Sequence, residues 1–197
     1  MIMETNEIDI IRNMRAEVMS RKDITGENLF LVWGYPTAIV LFIEYLALIT
    51  WGENWCAWLW VLIPLISTPL MIHCLRVDYK RTQHRTHEQS YILTLWIFIG
   101  IASCVGGAAM GFAGVFEKFF FSYLGLLCGL GCFLTGIILD FRPKTVCGIV
   151  ASLLSIIPLF LQGDNWPLQL LVTSAIVVIA LIIPGHLFKR YVREYYS

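Results

Sequence analysis

A polytopic bundle of transmembrane α-helices, six spans preceded by a short amphipathic N-terminal helix, is the fold class this sequence predicts. Three observations predict it. The chain of 197 residues is 58% hydrophobic and 14% charged, whereas a soluble domain is nearer half apolar and about a quarter charged. Its mean hydropathy is +0.73. Six segments reach or approach the ~20 apolar residues that a helix needs to cross hydrocarbon. Finally, thirteen of the fourteen Lys and Arg residues fall on one side of a six-span arrangement, and only Lys118 falls on the other. Basic residues collect on the cytoplasmic side, so both termini are expected there.

The first element is the cytoplasmic segment 1–27. Its opening, MIMETNEIDIIRNMRAEVMSRKD, has no apolar core followed by a small-residue cleavage site, so it does not read as a signal peptide. Ile8, Ile11, Met14 and Val18 recur at helical spacing, interrupted by Arg12, Arg15, Glu17 and Arg21. Such a helix, Ile8 to Met19, is expected to lie in the interface as a tether under the bundle, with docking of a cytoplasmic partner as the alternative.

The transmembrane domain covers 28–188. Its spans are expected at Asn28–Trp51, Trp55–Val77, Tyr91–Val115, Phe119–Leu139, Thr145–Leu161 and Trp166–Phe188, the fifth being the shortest. The outer loops reduce to GEN at 52–54, FEK at 116–118 and QGDN at 162–165, which excludes a large external ligand-binding domain. Trp51, Trp55, Trp58, Trp60 and Trp166 gather near this boundary, where amphipathic rings favour the headgroup region. Asn165 ahead of Trp166 and Pro167 reads as a helix N-cap. Residues 189–197 form a basic cytoplasmic tail.

Small residues dominate spans three and four, with Gly107 and Gly111, then Gly125 and Gly129, at GxxxG spacing. Small residues let helix backbones approach closely in lipid, so these two spans are expected to form a tight hairpin at the centre of the fold. Cys128 and Cys132 share a face of span four, with Cys104 at similar depth on span three. Packing is the expectation there, because a structural thiolate site normally wants four ligands. Pro36, Pro64, Pro69, Pro158 and Pro184 lie inside apolar runs, with Pro64 and Pro69 the most suggestive pair for a kink. Membrane helices tolerate proline, and transporters also use such breaks.

Glu44 is the one clearly intramembrane acid. A carboxylate in hydrocarbon is expensive and usually faces the bundle interior or a water-filled cavity. The expected form is the neutral acid, bonded to a hydroxyl at similar depth: Ser122 or Tyr123 on span four, or Thr173 or Ser174 on span six. The functional alternative is a cation or proton site. His73 is expected near the cytoplasmic end, too far for an ion pair. In QHRTHEQS, His84, His87 and Glu88 share a helical face, but Arg81 and Arg85 beside them disfavour a metal and favour anionic lipid headgroups.

LFLVWGYPTAIV opens span one, LTGIILDFRPKTVCGIV joins spans four and five, and LIIPGHLFKRYVRE ends the chain. With these the chain resembles a family of uncharacterised bacterial integral membrane proteins of about this size. In that family an LWGW-like motif opens the first span, a G-x-x-x-x-F-x-P-like junction follows span four, and an IPG-like motif ends the last. The opening here is VWGY. The resemblance implies a bacterial inner-membrane location and an architecture; it carries no activity and no functional residues. The sequence shows no acid, base, metal or phosphate-binding constellation and has tight small-residue helix faces, so a non-enzymatic regulator, sensor or accessory protein is expected, with no cofactor and no bound metal. The expected partners are the lipid bilayer and a second copy or another membrane or cytoplasmic protein, and not nucleic acid. The alternative is a small-solute or ion transporter using Glu44 and proline-kinked helices.

Overall fold

The computed structural model describes residues 30–51, 59–82, 87–161 and 166–196. The amphipathic segment 1–27, the GEN and QGDN loops, Trp55, Trp58, the Asn165 cap and His84 lie outside the described residues, as do the side chains of His87 and Glu88. Every regular element that is described is helical: α1 (Phe30–Trp51), α2 (Leu59–Thr82), α3 (His87–Phe112), α4 (Phe116–Ile138), α5 (Arg142–Leu154), a 3-10 turn (Ile157–Phe160), α6 (Trp166–Val177), a π-helical segment (Val178–Ile182) and α7 (Ile183–Tyr196). Among the described residues five helices are long and apolar enough to cross a membrane, including a last span that runs from Pro167 through α6 and the π segment to Tyr191. In α2 the apolar stretch, Leu59–Cys74, is shorter. The helical transmembrane bundle is the architecture expected from composition.

Two connections share one device. Beyond α3, Gly114 takes φ 69°, while Val115 N–H bonds Met110 O at 3.0 Å and Gly114 N–H bonds Gly111 O at 3.1 Å. Beyond α4, Asp140 takes φ 50°, with Phe141 N–H on Gly136 O at 2.9 Å and Asp140 N–H on Ile137 O at 3.1 Å. Both are Schellman closures, which satisfy the orphan carbonyls of a helix end with one left-handed residue. The first closure places the turn at 113–115, so FEK opens α4 instead of forming the loop. Pro143 sits in the first turn of α5, where its missing N–H costs nothing.

Helix α4 packs more tightly on α5 than on α3, its expected hairpin partner. A Cβ at Gly129 would lie 2.6 Å from Ser152 N, one at Gly136 2.5 Å from Thr145 N, and one at Gly148 2.6 Å from Phe133 Cα. Of the predicted packing glycines, Gly107 meets Phe120 of α4, whereas Gly125 faces Ser155 and Ile176, and Gly129 faces α5. Gly111 faces open space and packs against nothing within 4 Å. The reason is the bulk of the other α4 face: Phe120 and Tyr123 fill the contact with α3 and hold the two backbones apart.

Helix α1 runs antiparallel along the last span. Leu31 lies against Gly185, Gly34 against Leu181 and Ile182, and Ser174 Oγ donates to Ala38 O at 3.0 Å. On its other side Ser67 Oγ of α2 donates to Val32 O at 3.0 Å. The core, including Leu41, Cys132, Ala151, Leu170 and Val177, sits between α1, α4, α5 and α6. Helix α3 is peripheral and leaves Ile97, Phe98, Ile101, Val105 and Phe112 exposed. The prolines do less than their number suggests. Both α1 and α2 stay helical through Pro36, Pro64 and Pro69, because a membrane helix can re-satisfy the freed carbonyls locally. Among these five prolines, regular α-structure gives way at Pro158, in the 3-10 turn, and in the π segment ahead of Pro184.

Candidate functional site

Two buried charged side chains, Glu44 and Lys144, mark opposite ends of the bundle among the described residues. Glu44 stands fourteen residues beyond Phe30 on α1, about 21 Å along the axis at the helical rise of about 1.5 Å per residue. Its residue exposure is 8%. Trp60, in the first turn of α2, donates its indole N–H to Glu44 Oε2 at 2.7 Å. The indole is held by aromatic contacts with α4. Its ring stands edge-on to Phe120 at 5.8 Å and tilted to Phe121 at 6.2 Å, and Phe116 stacks on Phe120 at 4.2 Å.

Trp60 therefore takes the place expected for a hydroxyl partner. Tyr123 Oη donates instead to Ala102 O at 2.9 Å, Thr173 Oγ1 to Gln169 O at 2.7 Å and Ser174 Oγ to Ala38 O at 3.0 Å. Ser122 Oγ is buried with no partner. Thr173 bonds the carbonyl one turn back, as helical hydroxyls readily do, Tyr123 and Ser174 are taken up by carbonyls of α3 and α1, and an indole N–H only donates and needs an acceptor. Trp60 could have been found by matching the depth of every donor on the neighbouring antiparallel span, not hydroxyls alone.

Gln169 is a residue that sequence reasoning missed. It is 1% exposed on α6. Its Nε2 donates to Leu161 O, at the end of the 3-10 turn, and its Oε1 is buried with no partner. Buried oxygens among the described residues thus include the Glu44 carboxyl, Ser122 Oγ, Gln169 Oε1 and Thr173 Oγ1.

At the opposite end from Glu44 stands Lys144, one of the thirteen basic residues that the sequence places on a single side. It is 1% exposed, with Nζ 3.2 Å from the centroid of the Phe30 ring. Phe30 in turn stands edge-on to Trp96 at 5.1 Å, and Trp96 Nε1 donates to Thr135 Oγ1 at 3.1 Å. Cys132 Sγ donates to Lys144 O at 3.4 Å. Beside this cluster Tyr35 Oη and His186 Nε2 share a hydrogen bond of 2.6 Å between α1 and α7. A cation over an aromatic face is attracted by the ring quadrupole, so Lys144 ties the start of α5 to the start of α1.

Cys128 and Cys132 are buried and Cys104 is exposed on α3. Among the described residues no three or more His, Cys, Asp or Glu side chains are grouped to hold a metal ion. His73 is exposed on α2, thirteen residues beyond Trp60 and so well away from Glu44. Comparison with protein-family models, with curated proteins and with solved structures finds no match.

Proposed function

We propose that the chain is a non-enzymatic protein of the bacterial inner membrane, with both termini cytoplasmic, that works as a regulator, sensor or accessory subunit by associating with protein within the bilayer. The observation that carries this reading is α3. It is long and apolar, yet most of its surface is bare: Ile97, Phe98, Ile101, Val105 and Phe112 are exposed, with Gly100, Cys104 and Ala108 between them. Small residues at helix spacing let a second helix approach closely. The buried acid agrees with it, since Glu44 bonds Trp60 inside a packed aromatic group and is the one buried acid among the described residues, which is poor equipment for acid–base chemistry.

The test uses α3 itself. A photo-reactive residue at Ile101 or Val105 should capture, in native membranes, the same protein that co-purifies with the wild type. Oxidative cross-linking through Cys104 should yield a homodimer, lost in Cys104→Ser, where that protein is a second copy. Labelling of lipid alone from both positions would sink the reading.

A second reading, transport of a small solute or ion, is favoured by one observation: an ionisable side chain buried within a span, which marks an ion or substrate path by default. Uptake into proteoliposomes that Glu44→Ala abolishes is its expected signature.

A further inference from the structure

We propose that one face of α7, with Tyr35 of α1 at its edge, binds the phosphate of an anionic phospholipid. The inference goes beyond association with protein and rests only on the chain lying in a bilayer. Helix α7 carries it because its two faces differ in kind. On one, Phe188 is buried edge-on to Phe141 at 5.0 Å, and a Cβ at Gly185 would lie 2.9 Å from Leu31 Cδ2. That face is spent on α5 and α1. On the other, His186, Lys189 and Arg190 stand at i, i+3 and i+4, and all three are exposed.

These groups lie side by side. Residues three and four apart on a helix have Cβ atoms about 5–6 Å from one another. Tyr35 joins them directly from α1, its Oη 2.6 Å from His186 Nε2 and its ring edge-on to the imidazole at 6.0 Å. Tyr35 is itself exposed. With Tyr35 as the donor, the imidazole carries its proton on Nδ1, and that N–H is a donor for an anionic oxygen. Lys189 and Arg190 add charged donors, whose bonds to phosphate are the stronger kind.

Position selects a lipid over a soluble phosphate. The apolar span ends at Tyr191, and α7 continues to Tyr196. Lys189 and Arg190 therefore stand at the level of headgroups, with His186 and Tyr35 about one turn deeper. From Tyr35 the same face of α1 presents Ile39, Phe42, Ile43 and Leu46, all exposed, at i+4, i+7, i+8 and i+11. Helix α1 runs antiparallel to the last span, so this track leads from the basic cluster into hydrocarbon. Phosphate donors at one end and a bare apolar track at the other match the two ends of a phospholipid. Arg142 is the built-in comparison. It is exposed beside Phe141, whose ring packs on Phe188 and Tyr191, so it stands across α7 from the basic face.

Lipid retention by the full chain in detergent tests the site, read by native mass spectrometry after mixing with equal amounts of phosphatidylglycerol and phosphatidylcholine. Wild type should retain phosphatidylglycerol about tenfold or more in preference. Lys189→Gln and His186→Phe should each lower that retention about fivefold, the loss of one phosphate contact. Arg142→Gln removes the same charge from the same side of the membrane and should leave it unchanged. In phosphatidylcholine alone Lys189→Gln should unfold with wild type, because the side chain is exposed. That comparison separates a lost site from a damaged fold. Equal retention of the two lipids by wild type overturns the proposal. So does an equal loss in Arg142→Gln, which would reduce the effect to overall surface charge. Inorganic phosphate, set against chloride at equal ionic strength, should leave the lipid in place. Displacement would assign the face to a soluble phosphate and overturn the lipid.

Discussion

The bond between Trp60 and Glu44 joins the one buried acid among the described residues to a donor that can only donate. Removing either partner has different consequences. Trp60→Phe keeps the ring contacts with Phe120 and Phe121 but leaves the Glu44 oxygen without its donor, and should cost about 1–3 kcal/mol. Glu44→Gln keeps an acceptor oxygen facing the indole and should cost less than ~1 kcal/mol, whereas Glu44→Leu leaves a buried N–H unmatched. The double variant Trp60→Phe, Glu44→Leu should recover part of the sum of the single losses, with a coupling of roughly 0.5–3 kcal/mol. Unfolding midpoints in detergent measure all four proteins. Strict additivity would mean that the 2.7 Å bond contributes nothing. The sequence made Glu44 conspicuous because one acid in an apolar run has no bland alternative. It hid Gln169 and Lys144. A glutamine near a span end looks like loop chemistry, and a lysine two residues after Arg142 looks like any cytoplasmic charge. Only the fold reveals that one side chain turns inward.

Glycine spacing located helices that approach closely without saying which helices meet. Gly125 and Gly129 were legible as a packing face, but the partner of that face depends on the bulk of the rest of α4. Phe120 and Tyr123 occupy the side toward α3, so the close backbone approach falls to α5. This makes a graded prediction. Gly129→Ala and Gly148→Ala would drive a methyl group into backbone atoms of the facing helix and should cost roughly 1–3 kcal/mol. Gly111→Ala meets open space and should stay within about 0.5 kcal/mol of wild type. Gly114→Ala belongs to a different class. It has room for the methyl group, but its φ of 69° strains an L-residue, at about 1–2 kcal/mol. Ranking the four by thermal unfolding separates contact from conformation. A costly Gly111→Ala would place a neighbour on that face in the detergent-solubilised protein. The two helix breaks were half legible by the same logic. Proline marks where an α-helix can stop, yet Pro64 and Pro69 continue one while Pro158 ends one, and the π segment has no sequence mark beyond the Pro184 that follows it.

Charge distribution governs the molecule as a whole, and here the structure refines what the basic residues do. Arg142 is exposed at the start of α5, while Lys144, two residues on, is buried against Phe30. Only the first is free to act on the membrane surface, although both count equally in a sequence tally. The bias of thirteen to one is large enough that no single residue should decide orientation. A reporter fused after the last residue is therefore expected in the cytoplasm for wild type and for Lys144→Met alike. Stability and orientation should come apart at this position. Lys144→Met removes the cation from the Phe30 ring, a contact worth up to ~2 kcal/mol when desolvated, and should loosen the α1–α5 contact without inverting the bundle. Protease protection of the fused reporter reads the orientation, and the unfolding midpoint reads the packing. Inverted topology in Lys144→Met would show that the lysine acts as a surface charge during insertion, before the bundle closes over it. Unchanged topology with a lowered midpoint would assign it to the folded core.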